Sequence, residues 1–124
     1  MPVVVGVALG GALGASSRYL LDSLIERNVS SIFPWATFTI NITGCFLNGL
    51  LVALVVDALG APSWLSRGLI VGFLGAYTTF STFGAETYEL TELSHWGLAA
   101  ANVGASAVVG VAAVALGQSL GRLY

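Results

Sequence analysis

Lysine is absent from this chain, and its four arginines and six acids amount to 8% of the residues. Soluble domains carry roughly a quarter charged residues, so an ordinary water-facing surface cannot be assembled from this composition. The formal net charge of −2 leaves no basic face for nucleic acid. Cysteine is nearly missing: Cys45 alone rules out an internal disulfide, and a single histidine leaves no Cys/His metal cluster. Cys45 is expected to be a small packing residue. The N-terminus lacks the basic run of a signal peptide, so the first apolar stretch is expected to remain as a span. No nucleotide-binding loop is present, and no nucleophile, base and orienting residue combine into a catalytic set, so no enzyme activity is expected.

What remains is apolar. The 124 residues are 56% hydrophobic, with a mean hydropathy of +0.90. This composition predicts an all-α integral membrane protein, because about 20 helical residues cross the hydrocarbon layer. Four segments qualify, at about 3–24, 35–56, 65–93 and 96–120, forming one membrane domain. The three prolines, Pro2, Pro34 and Pro62, fall at the starts of spans, where a missing N–H costs little. Trp35, Trp64 and Trp96 also mark span ends, where amphipathic rings favour the interface.

The third segment is unusual. Its length overshoots the hydrocarbon core, and "GAYTTFSTFGAE" (Gly75–Glu86) lies near its centre. A tilted helix absorbs the excess, but a helix broken near the midplane accounts for the composition better. Hydroxyls at Thr78, Thr79, Ser81 and Thr82 fall within five positions after Gly75. Such hydroxyls often bond back to the i−4 carbonyl, and that reading suits any one of them. Taken together they point to released backbone, which at membrane depth is tolerated only inside protein or beside a cavity. Free carbonyls at such breaks commonly hold Na⁺, and half-helix N-termini favour anions.

Polar residues on other spans share faces. Thr37, Asn41, Gly44 and Asn48 follow i, i+4, i+7 and i+11, and Asn102, Ser106 and Gly110 follow i, i+4 and i+8. Each asparagine satisfies itself either against a neighbouring helix or along a water-filled path, and two aligned faces beside a break favour the path. Phe80 and Phe83 offer two readings as well. They face lipid or core, or their positive ring edges meet a small anion. Small-residue stripes at Gly6/Gly10/Gly14 and Gly68/Gly72/Ala76 are read as close helix packing.

Orientation is undecided by charge. An even number of spans places Arg67 and Arg122 on one side and Arg18 and Arg27 toward the other, so positive-inside bias is lacking. Either the chain inserts both ways and pairs as an antiparallel dimer, or its charges are too sparse to report topology.

These residues resemble the Fluc (CrcB) family of fluoride channels over nearly the whole chain. The match lies in "GGALGASSRY" (Gly10–Tyr19), "TINITGCFLNG" (Thr39–Gly49), "GFLGAYTTFSTFGAE" (Gly72–Glu86) and the glycine-bearing fourth span. The "TTFSTF" motif after an "N-x-x-G-x-F-x-x-G" second span is the specific part. The resemblance implies a fluoride-selective channel of the bacterial inner (plasma) membrane that exports F⁻ passively. It implies an antiparallel dual-topology homodimer with two pores and a structural central Na⁺. By motif, Phe80, Phe83 and Asn41 line the pore, with Ser81 and Thr82 as polar-track hydroxyls. Arg18 matches the vestibule arginine, and Ser106 a more loosely matched fourth-span position. Main-chain carbonyls of Gly75 and Thr78 are the implied Na⁺ ligands. Glu86 matches an acidic position of unassigned role, and Tyr77 replaces a small or apolar residue expected before the threonine pair.

The competing class is a small dual-topology, proton-coupled multidrug exporter, which needs a titratable carboxylate well inside a span. Asp22 and Asp57 sit only near span ends. A non-transporting subunit of a larger complex is the third class.

Overall fold

The computed structural model describes all 124 residues, and all regular structure in it is helical. Four helical stretches are long and apolar enough to cross a membrane: Val3–Asn28, Trp35–Ala58, Ser63–Glu92 and Trp96–Gly121. We label α1 (Val3–Asn28), α2 (Trp35–Leu51), α3 (Ser63–Arg67), α4 (Gly75–Tyr77), α5 (Phe80–Glu92) and α6 (Trp96–Gly121). Wider π-helical turns at Val52–Ala58 extend α2, and others at Gly68–Leu74 join α3 to α4.

Pro2, Pro34 and Pro62 each sit immediately before a helix, at the start of α1, α2 and α3. Trp35 and Trp96 are the first residues of α2 and α6. The first helix runs one turn past the expected end near Leu24, through Glu26 and Arg27, because backbone hydrogen bonding does not stop at the lipid boundary. At the other end of the third span, α5 stops at Glu92. Ser94 takes a left-handed φ of 62°, and His95 N–H returns to the Leu90 carbonyl at 2.8 Å, closing the helix.

Packing is tight where glycines allow it. The most extensive contacts are α2 against α6 and α1 against the Gly68–Leu74 turns. A Cβ on Gly10 would lie 2.9 Å from Phe73 N, and one on Gly117 would lie 3.0 Å from Leu50 N. These helices therefore meet backbone to backbone, the close approach that small residues permit in lipid. Only 20 of 124 residues are buried, while Val4, Leu9, Leu13, Leu20, Val108 and Val111 stand outward. A chain with so few buried residues and an apolar exterior uses lipid as its solvent.

Candidate functional site

The interruption of the third span is local and satisfied. Thr78 (φ −80°, ψ 159°) and Thr79 (φ −147°, ψ 114°) leave the helical region between α4 and α5. Thr78 N–H still reaches the Leu74 carbonyl at 3.0 Å, and its hydroxyl donates to the same oxygen at 2.9 Å. Thr79 is released, and Asn41 takes both of its backbone groups. Thr79 N–H donates to Asn41 Oδ1 at 2.8 Å, and Asn41 Nδ2 donates to the Thr79 carbonyl at 3.0 Å. Asn41 thus stands in for a neighbouring backbone. In a continuous helix the Thr79 N–H would have bonded the Gly75 carbonyl, so the clamp leaves that carbonyl free of its usual donor.

Thr79 also caps α5. Its Oγ1 accepts from Thr82 N–H at 3.3 Å and donates to Thr82 Oγ1 at 2.9 Å. The cap satisfies one of the orphan donors of the first turn, which also includes the N–H groups of Phe80 and Ser81.

Cavities lie on either side of Thr79, the one residue shared by both walls. The larger holds about 500 Å³ and is lined by Asn41, Asn48, Gly75, Thr78 and Phe80 among others. The smaller, about 220 Å³, is lined by Arg18, Asp22, Thr37, Thr79 and Thr82 among others. Thr37 belongs to the first turn of α2 and Asp22 to the C-terminal part of α1, so the smaller cavity lies toward one end of the spans. Buried Thr37 donates a short hydrogen bond to Glu86 Oε1, bringing that carboxylate behind the same wall.

Of the residues expected from sequence, Asn41, Gly75, Thr78 and Phe80 come together at the larger cavity. Arg18 and Thr82 come together at the smaller. Phe80 and Phe83 pair with ring centroids 5.8 Å apart and planes tilted by 40°, with Phe80 84% exposed and Phe83 half-buried. Ser81 is exposed and Ser106 half-buried, and neither borders either cavity. Ser106 belongs to a different network, in which its hydroxyl donates to Asn102 Oδ1 at 3.4 Å. Asn102 Nδ2 donates to Thr87 Oγ1 at 3.0 Å, and Thr87 Oγ1 donates to the Phe83 carbonyl at 2.7 Å. Asn102 is 1% exposed, so this chain is a buried tie between α5 and α6.

Sequence reasoning missed three relationships. The dual engagement of Thr79 by Asn41 left no local mark beyond an asparagine on a polar face. The Thr37–Glu86 bond joins that face to a residue 49 positions away. Tyr77 is buried at 6% exposure and stacks on Phe73 with centroids 5.9 Å apart. Its hydroxyl lies 2.8 Å from Thr43 Oγ1, which itself donates to the Thr39 carbonyl at 2.7 Å, so the phenol is the donor of the pair.

An all-helical multi-pass membrane protein emerges, with cavities flanking a non-helical pair of residues inside its third span. Comparison with known proteins makes the assignment specific. Residues 5–118 match the family described as CrcB-like protein, Camphor Resistance (CrcB), and the chain belongs to that family. It is 44% identical over 117 residues to the "Fluoride-specific ion channel FluC" of Magnetococcus marinus, covering 94% of this chain and 95% of that one. The protein of the same name from Acidobacterium capsulatum is 45% identical over 118 residues, covering 94% of this chain and 93% of that one. That of Geobacter metallireducens is 44% identical over 122 residues, covering 98% of each.

Proposed function

We propose that this protein is a fluoride-selective channel of the bacterial inner membrane, passing F⁻ down its electrochemical gradient without chemical turnover. The observation that carries the reading is full-length similarity to proteins named as fluoride-specific channels, at 44% identity over 117 residues in one case. The geometry supports it independently. Non-helical backbone inside a span is tolerated where it lines a cavity, and Thr79 borders cavities on both sides.

In this reading the anion enters through the Arg18 cavity and passes Thr82 and Thr79 toward Asn41, Phe80 and Phe83. Hydroxyls and an amide N–H replace its water, and phenyl edges add weak positive potential without trapping it. One Asn41 donor and one acceptor are held by Thr79, which leaves its second N–H to meet an ion. The orphan N–H groups of Phe80 and Ser81 at the start of α5 have the polarity an anion needs. Ser81 completes the proposed polar track. Ser106 acts on the path at one remove, through Asn102 and Thr87.

The working unit is an antiparallel, dual-topology homodimer with two pores. An almost fully exposed Phe80 and an open Gly75, around which an added Cβ would meet nothing within 4 Å, suit a face that a second copy covers. A structural Na⁺ would be held there by main-chain carbonyls of Gly75 and Thr78. The donor set fits, because Asn41 draws the Thr79 N–H away from the Gly75 carbonyl. When bound, the cation supplies charge that fixes the interrupted segment between subunits. The multidrug-exporter reading is disfavoured by the channel names of full-length relatives.

Fluoride efflux from liposomes containing the purified protein is the test. Release of fluoride far faster than chloride is expected, and equal rates for the two halides would overturn the proposal.

A further inference from the structure

The smaller cavity carries a charge that an anion pathway does not call for. Arg18 and Asp22 lie one turn apart on α1, both half-buried, and both line its wall. Facing them are Thr37, Thr79 and Thr82, all uncharged, with the Glu86 carboxylate bonded behind Thr37. The guanidinium therefore shares its wall with one acidic side chain, and a second is held behind Thr37. Asp22 is poorly explained as support for the helix, because the acid-before-base order is the favourable one at i, i+4 and here the base comes first.

We propose that Asp22 sets the anion affinity of this entrance by offsetting the field of Arg18. Alone in a narrow cavity with low-dielectric walls, a guanidinium concentrates anions and also holds them. Conduction needs a site that attracts the ion yet releases it. A carboxylate one turn away weakens the attraction at every point along the wall without blocking the opening. Arg18 recruits the anion, and Asp22 limits how long it stays. The inference rests on the anion-channel reading and adds a residue that fixes its working concentration range.

The experiment measures initial fluoride efflux from neutral phosphatidylcholine liposomes against internal fluoride, for wild type and Asp22→Asn. Background ionic strength is set with an impermeant organic salt. The half-saturating fluoride concentration should fall roughly three- to tenfold in the variant at about 0.01 M ionic strength, where the Debye length is about 30 Å. The shift should shrink near 1 M, where that length is about 3 Å, though by less than for exposed charges because both groups are half-buried. Asp22→Ser should reproduce the shift with a different shape, Asp22→Glu should restore the wild-type value, and Arg18→Gln should move it the other way. An unchanged half-saturation in both Asp22→Asn and Asp22→Ser would overturn the inference alone. So would a rise, which would mean that Asp22 merely holds Arg18 in place. Wild-type protein that passes no fluoride would overturn the channel reading together with it.

Discussion

Replacing Asn41 by alanine removes both hydrogen bonds that hold the Thr79 peptide, at 2.8 and 3.0 Å. Two magnitudes compete in deciding the cost. Leaving a buried donor and acceptor wholly unpaired would cost about 1–3 kcal/mol for each group. Side-chain hydrogen bonds between membrane helices have measured nearer 0.6 kcal/mol on average, with a maximum of about 1.7. Thr79 is 8% exposed, but it borders a cavity on each side, so water can reach the groups the amide abandons. The lower scale therefore applies, and two bonds give about 1–3 kcal/mol.

That cost should be local, because Thr78 remains anchored to Leu74 and Thr82 remains capped by the Thr79 side chain. Amide hydrogen exchange resolves it. At about 1.36 kcal/mol per tenfold, the Thr79 N–H should exchange roughly 5- to 150-fold faster in Asn41→Ala. Amides in the middle of α6 should keep their wild-type rates. Asn41→Asp separates the two bonds, since an ionised carboxylate still accepts from Thr79 N–H but cannot donate to its carbonyl. Protection of the Thr79 amide should be largely retained in that variant, while fluoride efflux falls in both. Unchanged Thr79 exchange in Asn41→Ala would refute the clamp, and equal loss of protection in both variants would refute the assigned direction of the bonds.

Phe80→Ile and Phe83→Ile should each strongly reduce fluoride efflux while leaving the folded assembly intact by gel filtration, and full flux in both would remove the ring-edge argument. Gly117→Ala forces a Cβ to within 3.0 Å of Leu50 N and should lower thermal stability in detergent by about 1–3 kcal/mol, as overpacking does. Gly104→Ala, with nothing within 4 Å of its added Cβ, should be neutral or stabilising by up to about 1 kcal/mol through helix propensity. Ser94→Gly relieves a φ of 62° and should raise stability by about 1 kcal/mol in the same melt; a loss instead would mean that the serine side chain holds the turn.

The four helices were legible because the signals that mark them are local. Pro34 sits before α2 and Trp96 opens α6, and each can be recognised without knowing what packs nearby. The overrun of α1 to Asn28 was missed because hydropathy reports where lipid ends, not where hydrogen bonding does. The π-helical turns at Gly68–Leu74 were missed for a different reason. Their backbone meets the glycines of α1, so their shape answers a neighbour more than sixty positions away in some contacts. Site residues divided along the same line. A motif brought Thr78, Thr79 and Phe80 onto one short segment, whereas the partners Thr37–Glu86 and Asn102–Thr87 exist only once helices are packed.

The structural role of Asn41 and the transport role proposed for it constrain each other. An anion pathway through a membrane needs donors, and the cheapest donors are backbone N–H groups freed from a helix. Freeing them also exposes a carbonyl that repels the anion and destabilises the fold in lipid. Asparagine resolves the conflict because its amide carries donors and acceptors together. Here the Nδ2 donor quiets the Thr79 carbonyl while Oδ1 takes the Thr79 N–H, and one N–H remains to face the cavity. Aspartate offers no donor, serine has one short arm, and leucine offers nothing. The residue that keeps the interruption stable is therefore also one suited to meet the ion, and its substitution should harm stability and transport together.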